Sequence, residues 1–450
     1  MRKSFLLLAC SACLCHARRV LLTTEELRSG SLAEKKLLVS DDDPKSIKQL
    51  LNKVSHVLKK ISPQSRAEQS QSTAADTTSP WNSPDVQRVL MMFCMIAIGY
   101  ALRGRFPGTE SGAVQKLLLQ FLVPATLFRG MSKEKIAASH IGYLASGVLL
   151  TVARALSSWL ASCAALGFRS CPSELAKLRR TAIFELSTIA SALSVLPFVS
   201  EFVGPEFVGL GGMVDLPMKF YNLVVMPLLL NMFNGAPPAS SKKESPNGQL
   251  VAAITQLLKD PITMSLICGI VTAIATDCRG LKALGFFGDA VEAMATAQTP
   301  ILFLLIGMKL NFQTSMPLIC VVILLANHGI LLIMVEVLLR VVNPGENATK
   351  LIIIFSQGAP SLLGLGVISS AVESGLHGYS PDFTFDIVAM AFPMCSVLQC
   401  ASGLAGASYA NAVGVVGLVL LAAAGVLRVA FNDRFQENSA KKCVDSDVAQ

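Results

Sequence analysis

Two short stretches of the 450-residue chain set hydroxyl-bearing residues beside a proline inside long apolar runs. The first carries Ser187, Thr188, Ser191 and Ser194 ahead of Pro197. The second carries Ser356, Gln357 and Gly358 ahead of Pro360, then Ser361, Gly364 and Gly366. Proline removes a backbone donor and clashes with the preceding helical turn. In hydrocarbon, the freed N–H and C=O groups must be satisfied by protein or by a water-filled cavity. If both helices unwind at these points and cross, their half-helix N-termini turn positive dipole ends toward a midplane cavity. That arrangement suits an anionic solute. The candidate lining is Ser187, Ser191, Ser194, Pro197, Ser356, Gln357, Pro360, Ser361 and Gly364. Proline kinks and small residues also serve close helix packing, so that plainer reading stands beside it.

Ionisable residues inside such runs are costly and are functional candidates by default. Asp215 and Lys219 stand four residues apart, a spacing that lets them pair on one helix face, with Asn222 on the next turn. A structural pair and a gating or coupling pair fit this spacing equally well. His328 and Glu336 lie on a later run, and proton coupling through His328, Glu336 or Asp215 fits their placement. The plainer reading of His328 is a hydrogen-bonded packing residue. Arg154, and Glu185 close to Arg179 and Arg180, read as snorkelling or neutralised side chains near an interface.

No metal or cofactor is expected. Of the twelve cysteines, Cys94, Cys163, Cys268, Cys320, Cys395 and Cys400 fall in apolar runs, where cysteine behaves as a small hydrophobe. Beyond Cys10, Cys13 and Cys15, which leave with the signal, no CxxC or His-rich ligand spacing occurs, nor a Walker or dinucleotide glycine motif. Nothing presents a nucleophile–base set, so an enzyme is not expected, and ATP-driven transport by this chain alone is disfavoured.

The elements that must position these residues are membrane spans. The chain is 52% hydrophobic and 15% charged, against roughly 25% charged in a soluble domain. Apolar runs of about 20 residues, enough to cross a bilayer as helices, recur at 87–102, 114–131, 141–167, 181–203, 208–233, 261–277, 291–308, 315–341, 350–372, 385–406 and 412–431. This excludes a soluble enzyme, a disordered regulator and a disulfide-stapled scaffold. The net charge of +8 is spread over segment ends and loops, which argues against nucleic acid as a partner. A polar break at 234–248 leaves five spans before it and five or six after. The halves share features in matching order. Gly99 in the first span answers Gly269 in the sixth; Pro124 and Gly130-Met131 in the second answer Pro300 and Gly307-Met308 in the seventh; Pro197 in the fourth answers Pro360 in the ninth. Because five is odd, the second set would sit inverted. The expected fold is an all-α membrane protein of ten or eleven transmembrane helices, with two inverted five-helix repeats and crossed broken helices.

Residues 1–17 read as a secretory signal, with Arg2 and Lys3 before a short apolar stretch; an uncleaved anchor is the alternative. Residues 18–84 form a polar, mostly disordered segment. Within it, Ile47, Leu50, Leu51, Val54, Val57, Leu58 and Ile61 recur at helical spacing among lysines, as in an interfacial helix or a transient linker helix. A plastid transit segment is weakened by the acids between Glu25 and Asp43. Then follow repeats at 85–233 and 251–407, a cytoplasmic linker at 234–250, and at 408–450 an extra helix with a cytoplasmic tail. Lysine and arginine in alternate loops favour an outward N-terminus. Asn347-Ala348-Thr349 is a glycosylation sequon set close to the next span.

The segments GYALRGRF and ESGAVQKLLLQFLVPATLFRGM resemble the opening of the auxin efflux carrier family, which includes the PIN-type and PIN-like carriers. FSQGAPSLLGLGVISSAVE resembles that family's proline-centred crossover, and TPILFLLIGMKL its seventh span; the likeness covers about residues 86–406. The resemblance implies two inverted five-helix repeats, broken fourth and ninth helices, and elevator-like alternating access. Where those carriers place asparagines near the two prolines, this chain has Ala190 and Ser191, and Leu363 and Gly364, which points away from auxin-like substrates.

The expected function is secondary transport of a small organic anion by a multi-pass protein that enters through the secretory pathway, at the plasma membrane or an endomembrane. Partners are that anion, the bilayer and, as one option, a second copy of the chain. Alternatives are a sodium-coupled symporter of the bile acid type, a non-transporting receptor on the same fold, and a channel.

Overall fold

The structure is a computed structural model that describes residues 83–103, 108–135, 140–167, 173–226, 257–309, 316–342, 344–361 and 378–431, with 229, 255, 368 and 372. The expected signal at 1–17, the stretch 47–61, the expected linker at 234–250, Gly364 and the residues after 431 lie outside the described residues. The chain divides into two compact units, Met1–Gln87 and Arg88–Gln450. Every candidate site residue belongs to the second unit.

Among the described residues every element is helical. Helix α1 spans Pro84–Leu102. Helices α2 (Gly108–Leu117) and α3 (Val123–Met131) are joined by a π-helical turn, Leu118–Leu122. Next come α4 (His140–Leu166) and α5 (Ser173–Ser187). Two short pieces follow, α6 (Ser191–Ser194) and α7 (Leu196–Phe198). Then follow α8 (Val208–Phe220), α9 (Pro261–Ala275), α10 (Phe286–Lys309), α11 (Pro317–Val342), α12 (Glu346–Ser356) and α13 (Pro381–Ala430).

Among the described residues, five helical stretches are long and apolar enough to cross a membrane: His140–Leu166, Phe286–Met308, Pro317–Val342, Pro381–Gly406 and Ser408–Ala430. Val86–Leu102 and Pro261–Ala275 are shorter apolar helices. The expected fourth and ninth spans are interrupted, and the fifth runs into a π-helical turn, Tyr221–Val225.

Helix α4 shows why the solvent around this fold is lipid. Its buried side holds Ser146, Arg154, Ser157, Ser158 and Ser162, while Ile141, Val148, Val152, Leu156 and Trp159 are exposed. A helix in water shows the opposite pattern. With apolar residues outward and polar residues inward, the molecule is a membrane-embedded helical protein.

Close packing depends on glycines. A Cβ on Gly99 of α1 would collide with the Leu304 carbonyl of α10, and one on Gly307 of α10 with the Ile96 carbonyl of α1. Likewise, a Cβ on Gly269 of α9 would press on Met131 and Phe128 of α3. Of the long apolar helices α11 is the most buried and Ser408–Ala430 the least, so Ser408–Ala430 faces outward. Along α11, His328 touches Cys395, Gly329 packs on Gly417, and Glu336 borders Gly414. Residues before and after Gly406 thus meet the same stretch of α11, so the chain reverses at Gly406, whose φ of 52° suits glycine. Local caps set other ends: Asp260 accepts from Thr263 N ahead of Pro261, and Ser380 from Phe383 N ahead of Pro381.

Candidate functional site

Helix α5 stops at Ser187 and α6 starts at Ser191, leaving Thr188, Ile189 and Ala190 unwound and buried. Helix α12 stops at Ser356, and Gln357 to Ser361 continue unwound and buried. Each stretch would carry orphaned backbone groups into a dry interior, and each supplies the other's partners. Ala190 N donates to the Ala359 carbonyl at 2.8 Å. Ala359 N donates to Ser194 Oγ at 3.0 Å, and Ser361 N to Thr188 Oγ1 at 2.9 Å. Asn222 Nδ2 donates to the Ile189 carbonyl at 3.2 Å. Gly358 leaves no room for a side chain against Ile189 and Val195.

Arg154 closes this junction. Only 2% exposed, it donates through Nε to the Leu186 carbonyl at 3.1 Å and through Nη2 to the Gly358 carbonyl, one acceptor from each broken stretch. Its Nη1 has no partner. Glu185 is fully buried one residue before Leu186, and neither carboxyl oxygen has a hydrogen-bond partner. This corrects the interfacial reading of both residues. A signal was present: Arg154 stands mid-helix with Ser157, Ser158 and Ser162 at one-turn and two-turn spacing, a polar stripe that cannot reach an interface.

The other candidates fall into three groups. Ser194 is in the junction, and Ser187 borders it by donating to the Phe184 carbonyl and accepting from Tyr221. Ser361 contributes its backbone N–H, and Pro197 and Pro360 are both buried. Gln357 heads a second network, donating to Tyr409 Oη at 2.7 Å and accepting from Ser402 Oγ at 3.1 Å. Tyr409, Ser402 and Gln399 come from α13 and were missed, because their helix lies far off in sequence. Ser356 turns back on the Ile353 carbonyl.

The pairing of Asp215 with Lys219 is corrected. Asp215 accepts from Ser191 Oγ, linking α8 to α6. Lys219 instead reaches Asp260 Oδ2 at 2.8 Å, the cap of α9. Asn222 joins the junction and keeps an unpartnered Oδ1. His328 is fully buried, with Nδ1 2.9 Å from the Leu324 carbonyl and Nε2 3.3 Å from Cys395 Sγ, as a packing histidine would be. Glu336 pairs with Arg340 one turn on, away from the breaks. No group of metal-ligating residues occurs among the described residues.

Outside the spans, Glu134 in the turn after α3 lies 3.8 Å from His140. Burial lifts its carboxyl above the ordinary 4.5; His140 pulls it back and Glu206 adds to the rise. Tyr379, ahead of α13, meets Phe184 edge to face, and burial pushes its hydroxyl up to about 12. Neither a protein-family model nor a curated protein matches the chain.

Proposed function

We propose that the chain is a secondary transporter that moves a small organic anion across a membrane by elevator-type alternating access. The observation that carries the reading is the mutual satisfaction of two unwound, buried stretches through Ala190, Ser194, Thr188, Ala359 and Ser361, closed by the Arg154 guanidinium. Irregular backbone at membrane depth is a feature of solute sites, and a buried cation at the junction favours an anion over a neutral solute. The proposed architecture is two inverted five-helix repeats with crossed broken helices, ten or eleven spans in all. The packing supports it. Gly99 and Gly269 correspond between the halves, as do Gly307 and Gly130-Met131, and the α1–α10 contact at Gly99 and Gly307 has its counterpart in the α9–α3 contact at Gly269 and Met131. The resemblance to auxin efflux carriers points the same way.

The test is solute counterflow in vesicles against small organic acids, with wild type, Gln357→Leu and Ser361→Leu. Saturable counterflow with weakened affinity in the variants is expected. Unchanged affinity in a transport-competent variant overturns the site; no saturable counterflow overturns the carrier. A sodium-coupled carrier is a second reading, favoured by the unpartnered amide oxygens of Asn222 and Gln399. Activity that survives replacement of sodium by choline removes it.

A further inference from the structure

Glu185 is the one carboxyl group among the described residues whose two oxygens are both buried and both without a hydrogen-bond partner. It stands two residues before the end of α5, next to the broken stretch, and the neighbouring Leu186 carbonyl is one of the two acceptors held by Arg154. Arg154 acts electrostatically on Glu185, yet spends Nε and Nη2 on backbone carbonyls and leaves Nη1 unpartnered. A guanidinium stays charged in proteins, so a lone positive charge already occupies this interior. A carboxylate here would face a desolvation penalty of several kcal/mol that only direct hydrogen bonding offsets, and it has no such bond. A neutral carboxylic acid avoids most of that penalty.

We propose that Glu185 is a proton-binding site, occupied in this arrangement, and that Arg154 is the group that displaces the proton. While Arg154 bridges the Leu186 and Gly358 carbonyls, Glu185 carries the proton. When the two broken stretches separate, those carbonyls leave Arg154, whose freed N–H groups turn to Glu185. The carboxyl O–H bond then breaks, the proton passes to water, and the electron pair stays on the oxygen that accepts from the guanidinium. Closing the junction reverses each step. The surrounding groups leave this exchange to the pair. From α4 the charged group facing Glu185 is Arg154. His328 of α11 and Cys395 of α13 bear on Arg154, and Asp386 of α13 bears on Cys320. Lys177, Arg179 and Arg180 stand eight, six and five residues before Glu185 on α5. Use of this proton to drive transport rests on the carrier reading; its binding does not.

The test is infrared difference spectroscopy of the full chain in lipid nanodiscs at neutral pH, with wild type, Glu185→Gln and Glu185→Asp. The expected result is a protonated-carboxyl C=O band in wild type that shifts in heavy water, vanishes in Glu185→Gln and returns at a changed frequency in Glu185→Asp. Glu185→Gln, isosteric with the neutral acid, should also melt as wild type does. A Glu185-dependent carboxylate band at neutral pH overturns the proposal. So does a Glu185→Gln protein that melts far below wild type or fails to fold, since that marks an ion pair with Arg154. No substrate is involved, so the spectrum stands or falls apart from the counterflow result.

Discussion

Arg154 is tied to two backbone carbonyls that no other described side chain satisfies. Arg154→Met would keep much of the apolar volume and leave both acceptors orphaned. A buried acceptor left unsatisfied costs about 1–3 kcal/mol. The expected outcome is a clear fall in the melting temperature of the purified protein, with Arg154→Lys intermediate, because an ammonium lacks the planar fork that spans two acceptors. Equal melting of Arg154→Met and wild type would show that the bridge contributes nothing. Glu134 gives a second prediction at this scale. Its folded-state carboxyl titrates above the ordinary 4.5, so the folded protein holds that proton more tightly than the unfolded chain. The stability this group contributes is fully present below pH 4.5 and is lost as pH rises through the raised value. Glu134→Gln should flatten that slope in denaturation curves taken across the window, while an unchanged slope would assign it elsewhere.

At the scale of elements, the pairing of helices is decided by where a Cβ has no room. Gly99 and Gly307 bring α1 and α10 into backbone contact. Gly99→Leu or Gly307→Leu would force the helices apart. Overpacking of this kind typically costs about 1–3 kcal/mol, and it should appear as lower thermal stability with little change in helix content. Gly406 carries the reversal within α13, with φ 52° and ψ −126°. An L-residue there is strained by about 1–3 kcal/mol, so Gly406→Ala should loosen the contact of Ser408–Ala430 with α11 and expose Gly417 and Gly329 positions to hydrogen exchange. Wild-type protection in that variant would mean the turn tolerates a side chain. The sequence spacing of Asp215 and Lys219 describes what one helix allows. Lys219 found a better partner in Asp260, which also caps α9, so a single carboxylate serves two helices.

For the whole molecule, the proposed order of spans places the linker at 234–250 and the C-terminal tail on the same side of the membrane. An odd first set of five spans, followed by six, returns the chain to the side of the linker. Epitope tags inserted at Gly248 and after Gln450 should therefore be digested together, or protected together, in sealed vesicles of one orientation. Opposite protection would remove either a span from the second half or the reversal at Gly406. The position of α11 fits this organisation: it is the most deeply buried of the long helices and meets both arms of α13.

Apolar runs of about twenty residues can be satisfied in lipid only by internal hydrogen bonding, so residue order alone makes the protein helical and places it in a bilayer. Residue order also pointed to both breaks, where proline, glycine and hydroxyl residues cluster, so that Ser187, Ser194, Gln357, Pro360 and Ser361 were legible from composition, although single prolines such as Pro217, Pro300 and Pro393 stand inside continuous helices. What completes those breaks came from packing between distant helices. Arg154 lies 204 residues from Gly358 and 32 from Leu186, and a side chain's position along one helix does not say which neighbour's carbonyls it will meet. Whether a mid-span charge snorkels to an interface or turns inward depends on which face of the helix is buried, and packing with other helices sets that face.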